Sequence, residues 1–374
     1  MIKETRNTYI IVGIVLTLLV FLFLHCTNKK DKATNEGQIA GVKIYDYDGK
    51  LPELFNEWHE LGINTIFSSV SLYSNDDFRS MARKSDITTY IIIPIFFNPE
   101  ALEEEQDLYA ITDQGEEAKD EWVKFVCPSR KEYRDRKINS IRKIIRELDP
   151  GGLSIDFIRH FVFWEKVYPE RTLASLPITC FCSSCLTRFQ TDTKISIPDS
   201  LTSATETADW IKKNYLPSWT EWKCNLITSM VQEITAEAKK MKPDIMINVH
   251  IIPWGQNDFE GAAKIVAGQD FSQIAPYADF LSPMTYAHMV KREPSWIHSV
   301  VQDVYQQTSG DILPGIQVKE AYLEDTLSIN EFRESLKEAL KLPSRGVVFW
   351  SWDQLEQDPQ KKDVIRAVLK NRKY

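Results

Sequence analysis

In the run GLSIDFIRH, from Gly152 to His160, an apolar, strand-like pattern ends in an acid and a base. Leu153, Ile155 and Phe157 alternate with Ser154 and Asp156, and Arg159 follows. A period of two marks a strand whose two faces meet different surroundings. If that strand belongs to a parallel barrel, its C-terminal end opens on the face where catalytic groups sit, and Asp156 is placed for acid–base chemistry. The structural alternative is an ion pair of Asp156 with Arg159 that closes the strand end. Other groups able to exchange protons or donate hydrogen bonds also stand where apolar runs stop: Asp46, His250, His288, Glu320 and Asp353.

Eight strand-like runs provide those endings: GVKIYDY from Gly41, NTIFSSV from Asn64, TYIIIPIFF from Thr89, GLSIDFI from Gly152, DIMINVHII from Asp244, DFLSPMTY from Asp279, ILPGIQV from Ile312 and GVVFWSW from Gly346. Amphipathic segments lie between them. The clearest has Ile138, Ile141, Ile144, Ile145 and Leu148 at helical spacing among charged neighbours. Near-continuous apolar strands alternating with helices predict a parallel sheet covered on its outside, and eight such units predict closure into an α/β (β/α)8 TIM barrel over residues 39–374. Two connections are longer than a bare barrel needs, from Asn98 to about Ser129 and from Arg159 to about Ala208. Both follow strands, the third and the fourth, and so belong on the catalytic face. No internal repeat or second domain is visible.

A net charge of −8, with no basic run interleaved with aromatics, speaks against a nucleic-acid partner. The ten Trp include side chains able to stack on sugar rings, although most Trp in any protein is partly buried core. At the N-terminus, Lys3 and Arg6 precede an apolar run from Tyr9 to Leu24 that stops at His25-Cys26 and a polar tail. This reads as an export segment over residues 1–26 followed by a flexible linker, 27–38. Cys26 resembles the acylation site of bacterial lipoproteins, which would tether the domain to the membrane at the cell envelope; an uncleaved anchor and simple secretion are the alternatives.

Among the remaining cysteines, Cys180, Cys182 and Cys185 form the cluster CFCSSC, with Cys127 and Cys224 elsewhere. In an exported protein they can pair as disulfides. Alternatively, the cluster with Cys127 from another loop can hold a structural zinc, and free thiols are the third reading. Either cross-link would fix the long excursion after the fourth strand. No other cofactor is expected.

The chain resembles a group of bacterial glycosyl-hydrolase-like TIM barrels whose fourth strand reads approximately DGIxLDYIRY, matched here by GGLSIDFIRH. The segments FVCPSRKEYRD (Phe125 to Asp135), CFCSSCLTRF (Cys180 to Phe189), DFLSPMTY, ILPGIQVK and GVVFWSWD are similar to it as well. The resemblance runs from about Gly41 to the C-terminus and implies a barrel that acts on carbohydrate. A more distant similarity is to family 18 chitinases, in which Met284, Tyr286 and Trp350 match a Met-x-Tyr strand and a Trp under the sugar. The chain departs from that family at Ser154 and Ile158, where the family carries an Asp and its acidic Glu.

Cleaving a glycosidic bond normally takes two carboxyl groups, one ionised and one holding a proton for the leaving oxygen. Asp156 is the expected ionised partner, kept so by Arg159. Glu320, in QVKEAY, is the expected proton donor and Asp353 the reserve. Asp46, Tyr286, Gln317, His250 and His288 are placed to hydrogen-bond hydroxyls, and Trp350 and Trp352 to stack on a ring. In loops, Trp254 and Trp164 read as subsites, whereas Trp58 and Trp222 fall in helical patterns. The competing reading is a non-catalytic, carbohydrate-binding lipoprotein on the same barrel. A metal-dependent hydrolase is disfavoured because KIYDY lacks a His-x-His.

Overall fold

The computed structural model describes residues 38–370. The proposed export segment, Cys26 and all but the last residue of the linker lie outside the described residues.

Eight parallel strands form one sheet: β1 (Ile39–Ile44), β2 (Thr65–Ser68), β3 (Thr88–Pro94), β4 (Gly152–Asp156), β5 (Met246–Ile251), β6 (Phe280–Pro283), β7 (Gly315–Gln317) and β8 (Gly346–Trp350). β1 to β6 pair in chain order, β1 also pairs with β8, and β8 with β7. Between β6 and β7 closure rests on single bridges, Leu281 to Ile312 and Met284 to Gly315. The result is a nearly closed (β/α)8 barrel with its helices outside.

The helices bury the stripe that their spacing dictates. In α1 (Leu51–Leu61), Leu54, Phe55, Trp58 and Leu61 are buried, and Gly62, at φ 79°, ends the helix in the left-handed region. In α2 (Lys131–Leu148), Ile138, Ile141 and Ile145 are buried, as the periodicity predicts.

Inside the barrel, alternation sorts the residues by height. At the bottom, Phe67 stacks on Tyr90 with ring centroids 4.9 Å apart. These two pack with Ile92, Phe280, Leu313 and Val348 into an apolar plug. Gly152 makes room for it, because a Cβ there would come 2.4 Å from the Tyr90 ring. Above the plug the inward positions of β4, β5 and β6 turn polar. Ser282 donates to Asn248 Oδ1 at 2.6 Å, and Asn248 Nδ2 donates to Ser154 Oγ at 3.0 Å. Ser154 Oγ lies 2.9 Å from His250 Nε2.

Both long excursions lie on the face where the strands end. The one between β3 and β4 contains a hairpin, Lys119–Asp120 with Val123–Lys124. It is laced to the excursion after β4 by a bridge between Thr112 and Thr179 and by Ile111 N–H donating to Cys180 Sγ at 3.2 Å.

Candidate active site

A cavity of about 290 Å³ opens at the C-terminal ends of the strands, lined among others by Lys43, Asp156, Arg159, Glu165, Tyr286 and Trp350. Lys43 is the penultimate residue of β1; Asp156 and Trp350 are the last residues of β4 and β8. Each reaches the cavity because its parity points into the barrel above the apolar plug. Phe157 adopts φ 48°, in the left-handed region that a bulky side chain rarely occupies, so the chain turns sharply as it leaves the acid.

Asp156 is buried. Its Oδ1 accepts the Phe157 N–H at 2.8 Å, and its Oδ2 stands 3.6 Å from Lys43 Nζ. Burial works against the charged carboxylate, but His250, Lys43, the Phe157 N–H and Arg159 together outweigh it and hold Asp156 below the usual carboxylate range. Burial and the charge of Lys43 push His250 down to about 3, with Asp156 opposing, so its charge acts on Asp156 only at acid pH, and at neutral pH the cations facing the carboxylate are Lys43 and Arg159. Lys43 is itself drawn down by burial, with Asp156 opposing.

Glu165 is the second carboxyl. It sits in the short helical turn Trp164–Lys166 within the excursion after β4, and only 8% of it is exposed. Burial pushes it up to about 7 although Arg159 pulls the other way, with Asp156 adding a smaller upward push. Its Oε2 and the indole N–H of Trp164 are buried and have no hydrogen-bond partner among the described residues. Such groups lining a cavity are those a polar ligand would satisfy. Arg159 is held rigidly: Nη1 donates to Val162 O at 2.7 Å, and the guanidinium lies 4.7 Å from the Phe125 ring centroid and 5.6 Å from that of Phe157. Tyr286 stacks on Trp350 at 4.7 Å.

The structure thus brings Asp156, Arg159, Tyr286, Trp350 and the loop residue Trp164 to one cavity. It does not bring Glu320 there. Glu320 lies three residues beyond β7, in a separate depression with Lys319, Gln354 and Lys361, and its Oε2 accepts the Leu327 N–H at 3.3 Å. Backbone hydrogen bonds lower its pKa, the reverse of what a proton donor needs. Glu320 therefore lies outside this cavity, and the second carboxyl that lines it beside Asp156 is Glu165. Asp353 is exposed and accepts the Ser351 hydroxyl, and Asp46 is exposed and accepts the Tyr47 N–H. Gln317 uses its amide on the backbone: Oε1 accepts from Met289 N–H at 2.8 Å and Nε2 donates to Lys319 O at 3.0 Å. His250 belongs to the polar floor beneath Asp156. His288 ties Glu331 to the carbonyl of Asp325. Trp254 packs on Phe259, and Trp352 on Trp58. Met284, matched in the sequence to the Met-x-Tyr strand, also lines it, and Lys43, Tyr45, Phe97, Trp122, Phe157, Glu165 and Tyr322 complete the wall without having been given a role from sequence; the signal for Glu165 was an acid inside the apolar run FVFWEKV.

The cysteines Cys127, Cys180, Cys182 and Cys185 converge, with all four Sγ atoms within 4.8 Å of one another, buried, and none in a disulfide. Cys127 Sγ is 3.5 Å from Cys182 Sγ and 3.3 Å from Cys185 Sγ. Four thiolates around tetrahedral zinc at 2.3 Å stand roughly 3.8 Å apart, so the set fits such a metal with little movement. Hydrogen bonds from Cys127, Cys180 and Cys185 pull the Cys182 thiol down, while burial pushes Cys180 and Cys185 up. The cluster can hold a metal ion, and it joins the two long excursions. Cys224 stands apart, its thiol pushed up to about 12 by burial.

No protein-family model matches the chain, and no curated protein matches its sequence. Among solved structures it is similar to the PgaB (BpsB) glycoside hydrolase domain from Bordetella bronchiseptica, at 10% identity and a TM-score of 0.68 over 90% of this chain and 100% of that one. It is also similar to the β-galactosidase of the psychrophilic Marinomonas ef1, at 11% identity and a TM-score of 0.66 over 88% of this chain and 58% of that one. A third is Gan42B, a GH42 β-galactosidase from G. stearothermophilus, at 11% identity and a TM-score of 0.57 over 88% of this chain and 56% of that one. The chain therefore spans a little over half the length of these β-galactosidases. At such identities the likeness is one of fold, the (β/α)8 barrel that glycoside hydrolases share.

Proposed function

We propose that the protein is a glycoside hydrolase in which Asp156 and Glu165 are the working carboxyls. The observation that carries this reading is that both line one aromatic-walled cavity at the barrel mouth and that their surroundings push them in opposite directions. Separating two carboxyls in this way supplies base and acid at one pH. Glu165, protonated below about pH 7, gives its proton to the leaving glycosidic oxygen. Asp156, ionised beside Lys43, meets the positive charge that develops on the sugar, as nucleophile or as base for the attacking water. Aromatic faces such as Trp350 suit the apolar side of a sugar ring. The fold shared with glycoside hydrolases supports the same class by analogy.

The export segment and Cys26 support a location at the cell envelope, with the barrel tethered to the membrane; Cys26→Ala should then abolish labelling of the protein by a fatty-acid probe. The convergence of the four cysteines supports structural zinc that binds the two excursions together. The catalytic reading is tested by screening a glycan library with wild type, Asp156→Asn and Glu165→Gln. Turnover that either variant lowers by about 10²-fold or more, with binding retained, is the expected result. Binding without turnover in the wild type would make the protein a lectin-like barrel instead.

A further inference from the structure

We infer that the cavity accepts only the non-reducing end of a glycan, because loops from opposite sides of the barrel join over its mouth. The inference rests on the glycosidase reading above and specifies its substrate. Trp122 stands at the turn of the hairpin between β3 and β4, and Tyr322 in the loop after β7. In an eight-stranded barrel β3 and β7 face each other across the axis. Trp122 Nε1 nevertheless donates to Tyr322 Oη at 2.9 Å.

Phe163, from the excursion after β4, braces the link, with its ring centroid 5.8 Å from that of Trp122 and 5.4 Å from that of Tyr322, each edge to face. Lys166 pairs with Glu121, the neighbour of Trp122, and its Nζ lies 5.5 Å from the Tyr322 ring. Trp122 and Tyr322 line the cavity, yet they are 42% and 37% exposed. They are its outer wall, touching the cavity on one side and solvent on the other.

A polysaccharide cut in its interior must leave the reacting ring in both directions, which requires a groove open across the barrel mouth. The Trp122–Tyr322 link spans that mouth. The cavity, at about 290 Å³, is also at the lower limit of small-ligand sites, roughly 300 Å³ and upward. The ring whose glycosidic bond breaks must lie between Asp156 and Glu165. Little room remains for a sugar attached to its non-reducing side, whereas the leaving group can extend toward solvent. The terminal sugar is then the one removed.

The test uses fluorescently labelled tetrasaccharides of β-linked glucose, galactose and N-acetylglucosamine, each with a free terminal ring or with that ring capped as a 4,6-O-ethylidene acetal. For the member of the panel that is cleaved, the free form should react at least about 100-fold faster than the capped form, since even one misplaced carbon in a tight pocket costs up to that order. Tyr322→Phe, which removes only the hydroxyl, and Trp122→Ala, at an exposed position, should each narrow that ratio. Equal cleavage of capped and free forms by the wild type, or a ratio that neither variant moves, overturns the inference and leaves the hydrolase reading intact. Binding of the same pairs to Glu165→Gln, followed by tryptophan fluorescence, reads the discrimination without turnover. Free-end-selective binding with no wild-type hydrolysis supports the end-recognising cavity and overturns the enzyme. No binding and no cleavage anywhere in the panel overturns both.

Discussion

Glu165→Gln should make the protein more stable as well as inactive, and the gain should depend on pH. Burial raises Glu165 from its ordinary 4.5 to about 7. Between those values the unfolded chain has released this proton while the folded protein still holds it, so stability falls as pH rises through the window and levels off above it. At about 1.4 kcal/mol per pKa unit, the ionised side chain costs the fold about 3 kcal/mol at pH 8 and less than about 1 kcal/mol at pH 5. Gln has nearly the same shape and never ionises. Urea unfolding of wild type and variant at the two pH values isolates the effect, because any constant loss from new amide contacts cancels in the difference. The variant should gain about 2 kcal/mol more at pH 8 than at pH 5, with the denaturant slope unchanged. Stability curves for the two proteins that run parallel from pH 5 to pH 8 would show that Glu165 ionises as it does in water, and the proposed acid would lose its basis.

Other outcomes follow from the same geometry. The alkaline limb of kcat/KM should have an apparent pKa near 7, as Glu165 loses its proton, and the acid limb should fall below the usual carboxylate range, as Asp156 gains one; a pH–rate profile on any cleaved glycan checks both. Asp156→Asn leaves the Lys43 ammonium buried without its counter-ion and should cost about 3–5 kcal/mol in urea unfolding, of which Asp156→Asn with Lys43→Met recovers a large part. Glu320→Gln, outside the cavity, should leave turnover within about twofold of wild type, since it touches neither proposed carboxyl. Elemental analysis of the purified protein should find about one zinc per chain, and Cys182→Ser should lose it and unfold at lower temperature; four titratable thiols with no metal would refute this.

The barrel was legible because its cause is local. Alternation in β4 and the helical spacing of Ile138, Ile141 and Ile145 are visible within a few residues, and each reports which side is buried. Asp156 was legible for the same reason, being the last inward position of its strand. Glu320 misled because the run ILPGIQV suggests a longer strand than forms: β7 ends at Gln317, and three residues further on the chain has turned Glu320 toward the Leu327 N–H. His250 has the right parity but sits one layer too low, bonded into the floor through Ser154. The role of Glu165 comes from burial supplied by distant segments, and that of Trp122 from a partner 200 residues away. The sequence places the excursion that carries Trp122 on the catalytic face but gives no sign of which of its residues reaches across. The cysteine spacing announced a cluster, but only the folded chain shows that its members meet without forming a disulfide.

The two faces of β4 also differ in how much change they can absorb. Along Gly152, Ser154 and Asp156, each inward side chain has a separate obligation: to leave space for Tyr90, to relay a hydrogen bond to His250, and to carry charge beside Lys43. Replacing any of the three puts a specific contact at stake, so this face accommodates change less readily. Leu153 and Ile155, between them, are fully buried toward the helices and owe the fold only volume and apolarity, which other aliphatic side chains can supply at modest cost. Five consecutive residues thus alternate between fixed and exchangeable, and the rhythm that makes the strand recognisable is also the rhythm at which its history can vary.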